Sequence, residues 1–330
     1  QLTAGGLLAL FRQRPFDYLA SPADTPRDIF VPAFDTAPLA PAPGMLLQDD
    51  ADALQAGLDV CRALTPGDVH LCLPGADAEL PAALTAVERV QTHRFAGRHP
   101  AGCVGVHIHH VKPIRNARDV VWYINLQGLL LLGRFFLQGR MDPRVIVAVT
   151  GPGARERRHI RTRLGAPMKA LLQGGLAEGE QRVISGNALT GRLAGEDGFV
   201  GFYDHQVTVL PEAAEPEFCG WMLPGAAKPS WFPMFLSRLL PARKHTLNTR
   251  LNGGRRALVA SGCYERVLPM DILPVYLAKS CLAKDIEEME QLGIYEVAED
   301  EFALCEYICP SKTEFQQIIR DGLDLVASET

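Results

Sequence analysis

At 330 residues the chain is long enough for two or three domains with cores of their own. A formal charge of −5 and a pI near 6.0 argue against nucleic acid as the main partner. The balance of 47% hydrophobic and 22% charged residues is that of a soluble globular protein. Eight scattered cysteines, of which only Cys305 and Cys309 have ligand-like spacing, fit a reducing, cytoplasmic compartment.

Residues 1–142 read as an alternation of strands and helices. IFVPAF (29–34) and VHLCL (69–73) are short buried strands, and between them Leu54, Leu58, Cys61 and Leu64 recur at helical spacing. VVWYIN (120–125) is β-branched and aromatic, and 127–138 reads as an apolar helix. Such alternation implies a Rossmann-like parallel sheet covered by helices. The longest apolar run, LLLLGRFFL (129–137), is broken by Gly133 and Arg134, and no basic region precedes an apolar run. The expectation is a chain without signal peptide or membrane span that can still dock on a membrane.

From residue 143 to 200 the texture becomes that of a small β-grasp unit. RVIVAVTG (144–151) and RRHIRTRLG (157–165) are strands, GAPMKALLQGG (165–175) is a short helix, and QRVISGNALTG (181–191) is a further strand. The basic stretch RERRHIRTR (155–163) reads as a solvated face or a charged contact with a partner. YDHQVTVL (203–210), HTLNTRL (245–251) and RALVASG (256–262) suggest additional β structure over 201–268, with Asn252-Gly253-Gly254 as a hairpin turn. WFPMFLSRLLPARK (231–244) has the composition of a docking element or a buried loop. Residues 269–330 read as a helical bundle, with Phe315, Ile318, Ile319, Leu323 and Val326 on one stripe.

Two groups of residues invite chemistry. In RHPAGCVGVHIHH (98–110), His107 and His109 would share a face on a strand, a spacing that metal-dependent hydrolases use, with His99 and Cys103 near. On a helix opened by Pro100 they would diverge by about 200° and bond locally instead. In EFALCEYICPSK (301–312), Cys305-x3-Cys309-Pro310 matches the last half of an iron–sulfur run, but Glu299 and Phe302 stand where two ligands would be. Cys305 and Cys309 are then expected to be buried packing residues.

Several stretches carry a family resemblance: RPFDYLA (14–20), FDTAPLAP (34–41), HPAGCVGVHIHH (99–110), RVISGNALTG (182–191), NGGRRALV (252–259), YERVLPMDILP (264–274) and LCEYICPSKTEF (304–315). Together they resemble the A subunit of the sodium-translocating NADH:quinone reductase, over nearly the whole chain. That family carries a further N-terminal segment, so the resemblance implies a shortened chain. The family is in turn similar to the NADH-binding flavoprotein subunit of respiratory complex I and to the C subunit of Rnf complexes. The implied fold is a degenerate flavin-type Rossmann domain, a β-grasp domain of the SLBB kind with further β structure, and a cluster-type helical bundle whose ligands are lost.

What the resemblance implies about function is equally specific. The chain would bind no flavin and no iron–sulfur cluster, those centres and NADH belonging to other subunits. It would lie on the cytoplasmic face of the bacterial inner membrane, bound to the membrane-embedded B subunit, and would associate with ubiquinone. In GGLLALFRQRPFDYLA (5–20), side chains replace the glycines with which relatives approach a flavin phosphate. The emptied region offers Phe11, Pro15 and Phe16 as walls of a quinone slot and Arg12 and Arg14 as donors, with His107 and His109 as second-choice proton donors. Two rival readings remain: an FMN-binding redox protein, and a metal-dependent enzyme built on His99–His110.

Overall fold

The computed structural model describes residues 2–3, 5–47, 50–213, 246–251, 253–259 and 262–329. The core of the first unit is a six-stranded sheet. Strands β3 (Asp28–Pro32), β4 (Val69–Pro74), β5 (Gln91–Phe95) and β6 (Val121–Tyr123) run parallel. A hairpin, β1 (Arg12–Arg14) and β2 (Tyr18–Leu19), joins antiparallel to β6, giving the order β2-β1-β6-β3-β4-β5. β3 and β4 are buried on both faces, which explains their near-continuous apolar sequence.

One face of this sheet is covered by α1 (Pro43–Leu47), α2 (Ala51–Leu64) and α5 (Leu126–Gln138), with the short α3 (Ala82–Thr85) beside them. α2 and α5 touch backbone to backbone. A Cβ on Gly133 would lie 1.8 Å from the Ala53 carbonyl oxygen, and one on Gly57 would lie 2.5 Å from that of Leu129. The Asn125 side chain caps α5 by accepting the Gly128 N–H at 2.8 Å, and Gly139 closes it in the left-handed conformation. Arg134, the charge inside the apolar run, is buried. It donates to the carbonyls of Leu130 and Arg144 and lies 3.4 Å from Asp142.

The second unit is a five-stranded sheet, in the order β10-β9-β11-β7-β8, from β7 (Arg144–Thr150), β8 (Arg158–Arg163), β9 (Gln181–Ser185), β10 (Arg192–Leu193) and β11 (Gln206–Pro211), with α6 (Met168–Leu171). β11 lies past residue 200 yet runs between β9 and β7, so that strand completes this sheet instead of founding a separate β region. The described residues of 246–262 form no strand, which corrects the β reading of HTLNTRL and RALVASG. Instead 256–257 runs along the loop at 309–314, where the Arg256 N–H donates to Ser311 O and Ser311 Oγ to Ala257 O. Asn252 and the segment 231–244 lie outside the described residues.

The remaining helices are α7 (Pro274–Ala283), α8 (Ile286–Gln291), α9 (Ala303–Ile308) and α10 (Phe315–Glu329). With α4 (Val104–Val111) they build a second core against the opposite face of the first sheet, in which Phe30 and Cys72 meet Ile108, Tyr264, Phe302 and Phe315. Among the described residues no helix is long and apolar enough to cross a membrane.

Candidate functional site

The stretch 5–20 folds as a 3₁₀ turn (Leu7–Leu10) followed by the β1–β2 hairpin, not as a strand-to-helix loop. Leu7, Leu10 and Phe11 are buried, and Phe11 lies against Trp122 with ring centroids 5.7 Å apart. The charged and aromatic side chains of the hairpin are engaged. Arg12 pairs with Asp17 at 2.7 Å, and Asp17 also accepts the Tyr123 hydroxyl at 2.6 Å. Phe16 stacks beside Tyr18 and meets Tyr295 edge-on, while its carbonyl accepts Arg320 Nη2 at 2.8 Å. Phe16 and Asp17 both have positive φ, and Pro15 is buried behind them.

Arg14 is 2% exposed, and its Nη2 donates to both oxygens of Glu301 at 3.1 and 3.2 Å. Burial works against the guanidinium charge, but Glu301, Asp17 and Tyr123 outweigh it and hold Arg14 firmly protonated. The Glu301 carboxylate also accepts two backbone donors, Gly105 N–H at 3.1 Å and Ala298 N–H at 2.7 Å. Gly105 is the second residue of α4, so an anion sits at the positive end of that helix. The anion belongs to the chain itself. A Cβ on Gly105 would approach the Glu301 carboxyl carbon to 2.6 Å, so only glycine lets the carboxylate in. Sequence reasoning missed Asp17, Tyr123, Gly105 and Glu301; its one usable signal was an acid directly before the apolar Phe302.

His107 and His109 lie on α4, not on a strand, and point to different sides. His107 is fully buried between Phe34 and Phe95, its Nε2 2.9 Å from Ala101 O, and burial pushes its pKa down to about 4. His109 bridges Glu296 at 2.7 Å and the Asp271 N–H at 3.1 Å, and His110 meets Pro269 O at 2.9 Å. His99 Nδ1 is 3.3 Å from Thr36 Oγ1. His109 and His110 tie α4 to the segment before α7, and the four imidazoles do not converge. Among the described residues, ligand atoms converge only at Asp28, Asp68 and His70. There the Asp28 carboxylate is already taken by Lys112 (2.7 Å), Arg27 (2.7 Å) and the Asp68 N–H (3.1 Å); burial works against its charge, but His70 first, then Lys112, the Asp68 N–H and Arg27, hold its pKa well below the usual range.

Cys305 and Cys309 are both fully buried, on either side of Tyr264. Cys305 Sγ lies 3.9 Å from Tyr264 O, and Cys309 Sγ lies 3.1 Å from the Tyr264 hydroxyl and accepts the Thr313 N–H at 3.4 Å. Burial raises the Cys305 thiol. At Cys309 burial acts the same way, but the hydrogen bonds from Tyr264 and Thr313 outweigh it and lower the pKa. Phe302 stacks on Phe315, and Glu299 pairs with Arg320 at 3.2 Å, so both positions are used in packing. Pro310 follows α9 directly after Cys309.

A mostly parallel α/β unit, a β-grasp sheet and a helical bundle tied to the first hairpin by a buried ion pair define one class of multidomain subunit. Residues 1–141 match the family model described as the NqrA second alpha/beta domain, and residues 146–196 match the NQRA C-terminal domain of SLBB type. The chain belongs to the family of A subunits of the Na(+)-translocating NADH-quinone reductase. It is 40% identical over 329 residues to the family member from Pasteurella multocida, covering 99% of this chain and 73% of that protein. It is 41% identical to the one from Shewanella denitrificans, covering 99% and 72%. Among solved structures, a chain of an NAD+-reducing nickel–iron hydrogenase in the air-oxidised state aligns with a TM-score of 0.49 and 14% identity, over 99% of this chain and 60% of its own length.

Proposed function

We propose that this chain serves as a peripheral, non-redox subunit of a sodium-translocating NADH:quinone reductase. It docks on the cytoplasmic side against the membrane-embedded B subunit, associates with ubiquinone, and leaves NADH, flavins and iron–sulfur centres to other subunits. The observation that carries the reading is the Glu301 carboxylate at the N-terminus of α4, where an anionic prosthetic group would otherwise find its donors. A side chain that fills such a position and is locked by Arg14 favours a scaffold over a cofactor carrier.

For the quinone, the contacts narrow the set of candidates. Phe11, Arg14, Pro15 and His107 are interior, whereas Arg12, Phe16 and His109 keep part of their surface. The quinone part of the proposal therefore rests on Arg12 as carbonyl donor and Phe16 as wall, with His109 nearer the bundle. Titration of a soluble ubiquinone analogue against the chain, beside Arg12→Ala and Phe16→Ala, tests it. Weaker binding in both variants is expected, and equal affinity in all three proteins would overturn the placement. A flavin spectrum in the purified protein would overturn the non-redox reading separately.

A further inference from the structure

Phe136 and Leu137 sit on the last turn of α5 and are 39% and 57% exposed; Met141, on the loop that follows, is 42% exposed. Gly139 turns the chain in the left-handed conformation, so the three apolar side chains stand at one helix-end corner, not along a groove. The corner is basic. Arg140 and Arg163 are exposed, and the Arg144 side chain is half exposed. Arg144 and Arg163 face each other in the β7–β8 register, and the Leu164 N–H donates to Pro143 O at 2.9 Å, which fastens the end of edge strand β8 to this loop. Among the described residues the acids that meet these arginines are Asp142, paired with Arg144 and near Arg134, and Asp50, 3.7 Å from Arg134. Among the described residues the arginines of this corner outnumber the aspartates that meet them, which leaves Arg140 and Arg163 as its exposed positive charges.

We propose that this corner seats on anionic phospholipid. Phe136, Leu137 and Met141 enter the interfacial layer, and Arg140 and Arg163 pair with headgroup phosphates. The sign of the charge complements an anionic leaflet, and exposed apolar side chains framed by arginine are the composition of an interfacial anchor. A protein partner fits less well. A stable protein interface takes roughly 800 Å² from each side, more than three apolar side chains on a turn supply. The inference goes beyond the quinone reading and is independent of it.

The experiment is co-sedimentation of the chain with vesicles of phosphatidylcholine alone and of phosphatidylcholine mixed with phosphatidylglycerol. Binding is expected only to the anionic vesicles, weakening as salt rises. Phe136→Ser with Leu137→Ser, and separately Arg140→Glu with Arg163→Glu, should each reduce it by about tenfold or more. These side chains are exposed, so both variants should melt like the parent. Arg158→Glu, at the far end of β8, should bind as the parent does. Absence of binding, equal binding to both vesicle types, or an equal loss in Arg158→Glu would each overturn the proposal. So would a Phe136→Ser, Leu137→Ser protein that binds vesicles normally but no longer co-purifies with the other reductase subunits, which would assign the corner to a protein contact.

Discussion

Arg14 and Glu301, 287 residues apart in sequence, form an ion pair in which both side chains are 2% exposed or less. Glu301 is satisfied by the guanidinium and two backbone amides, so removal of one partner strands a buried charge. Arg14→Met should therefore cost about 3–5 kcal/mol. The double variant Arg14→Met, Glu301→Gln should recover much of that loss, because neither charge then remains. Urea unfolding of the parent, both single variants and the double variant gives the coupling, and purely additive losses would contradict the pairing.

Two glycines make a matched comparison. Gly105→Ala pushes a methyl group against the Glu301 carboxyl, a side chain with restricted room to move, and should cost about 1–3 kcal/mol. Gly133→Ala meets the Ala53 backbone carbonyl, so α2 and α5 must separate; its cost should reach or exceed about 3 kcal/mol. Thermal melting that ranks Gly133→Ala above Gly105→Ala is the expected outcome.

His107 sets a pH dependence. Its folded pKa, lowered to about 4, lies below the ordinary histidine value of 6.5, so the unfolded chain binds the extra proton first as pH falls. Stability from this group is complete above about pH 6.5 and declines towards pH 4, by about 3 kcal/mol over the window. His107→Leu should flatten the stability curve between those limits relative to the parent. Parallel slopes for parent and variant across that window would refute the assignment.

What the sequence disclosed and what it hid follow from range. The apolar run of α5, the stripe of Phe315, Ile319, Leu323 and Val326 on α10, and the buried strands β3 and β4 were legible because periodicity is local. The histidine stretch was ambiguous because β-branched Val and Ile alternate with His within a helix of eight residues. The β1–β2 hairpin, with strands of three and two residues, carries too little pattern to be read. Arg14, Asp17, Tyr123 and Glu301 were beyond any window, since only the finished fold brings them together. The stretch 5–20 was read as a strand-to-helix loop but folds as a turn and a hairpin, and the carboxylate at a helix N-terminus is admitted at Gly105 instead.

Arg320 and Asp324 on α10 reach the Phe16 carbonyl and the Tyr18 hydroxyl, so the last described helix closes over the first hairpin. On a ribosome, Arg14 emerges 287 residues before Glu301, and the hairpin waits for that clasp while everything between them is made. A nascent chain at that stage presents an arginine without its main partner and an uncovered sheet face, the kind of surface that chaperones hold.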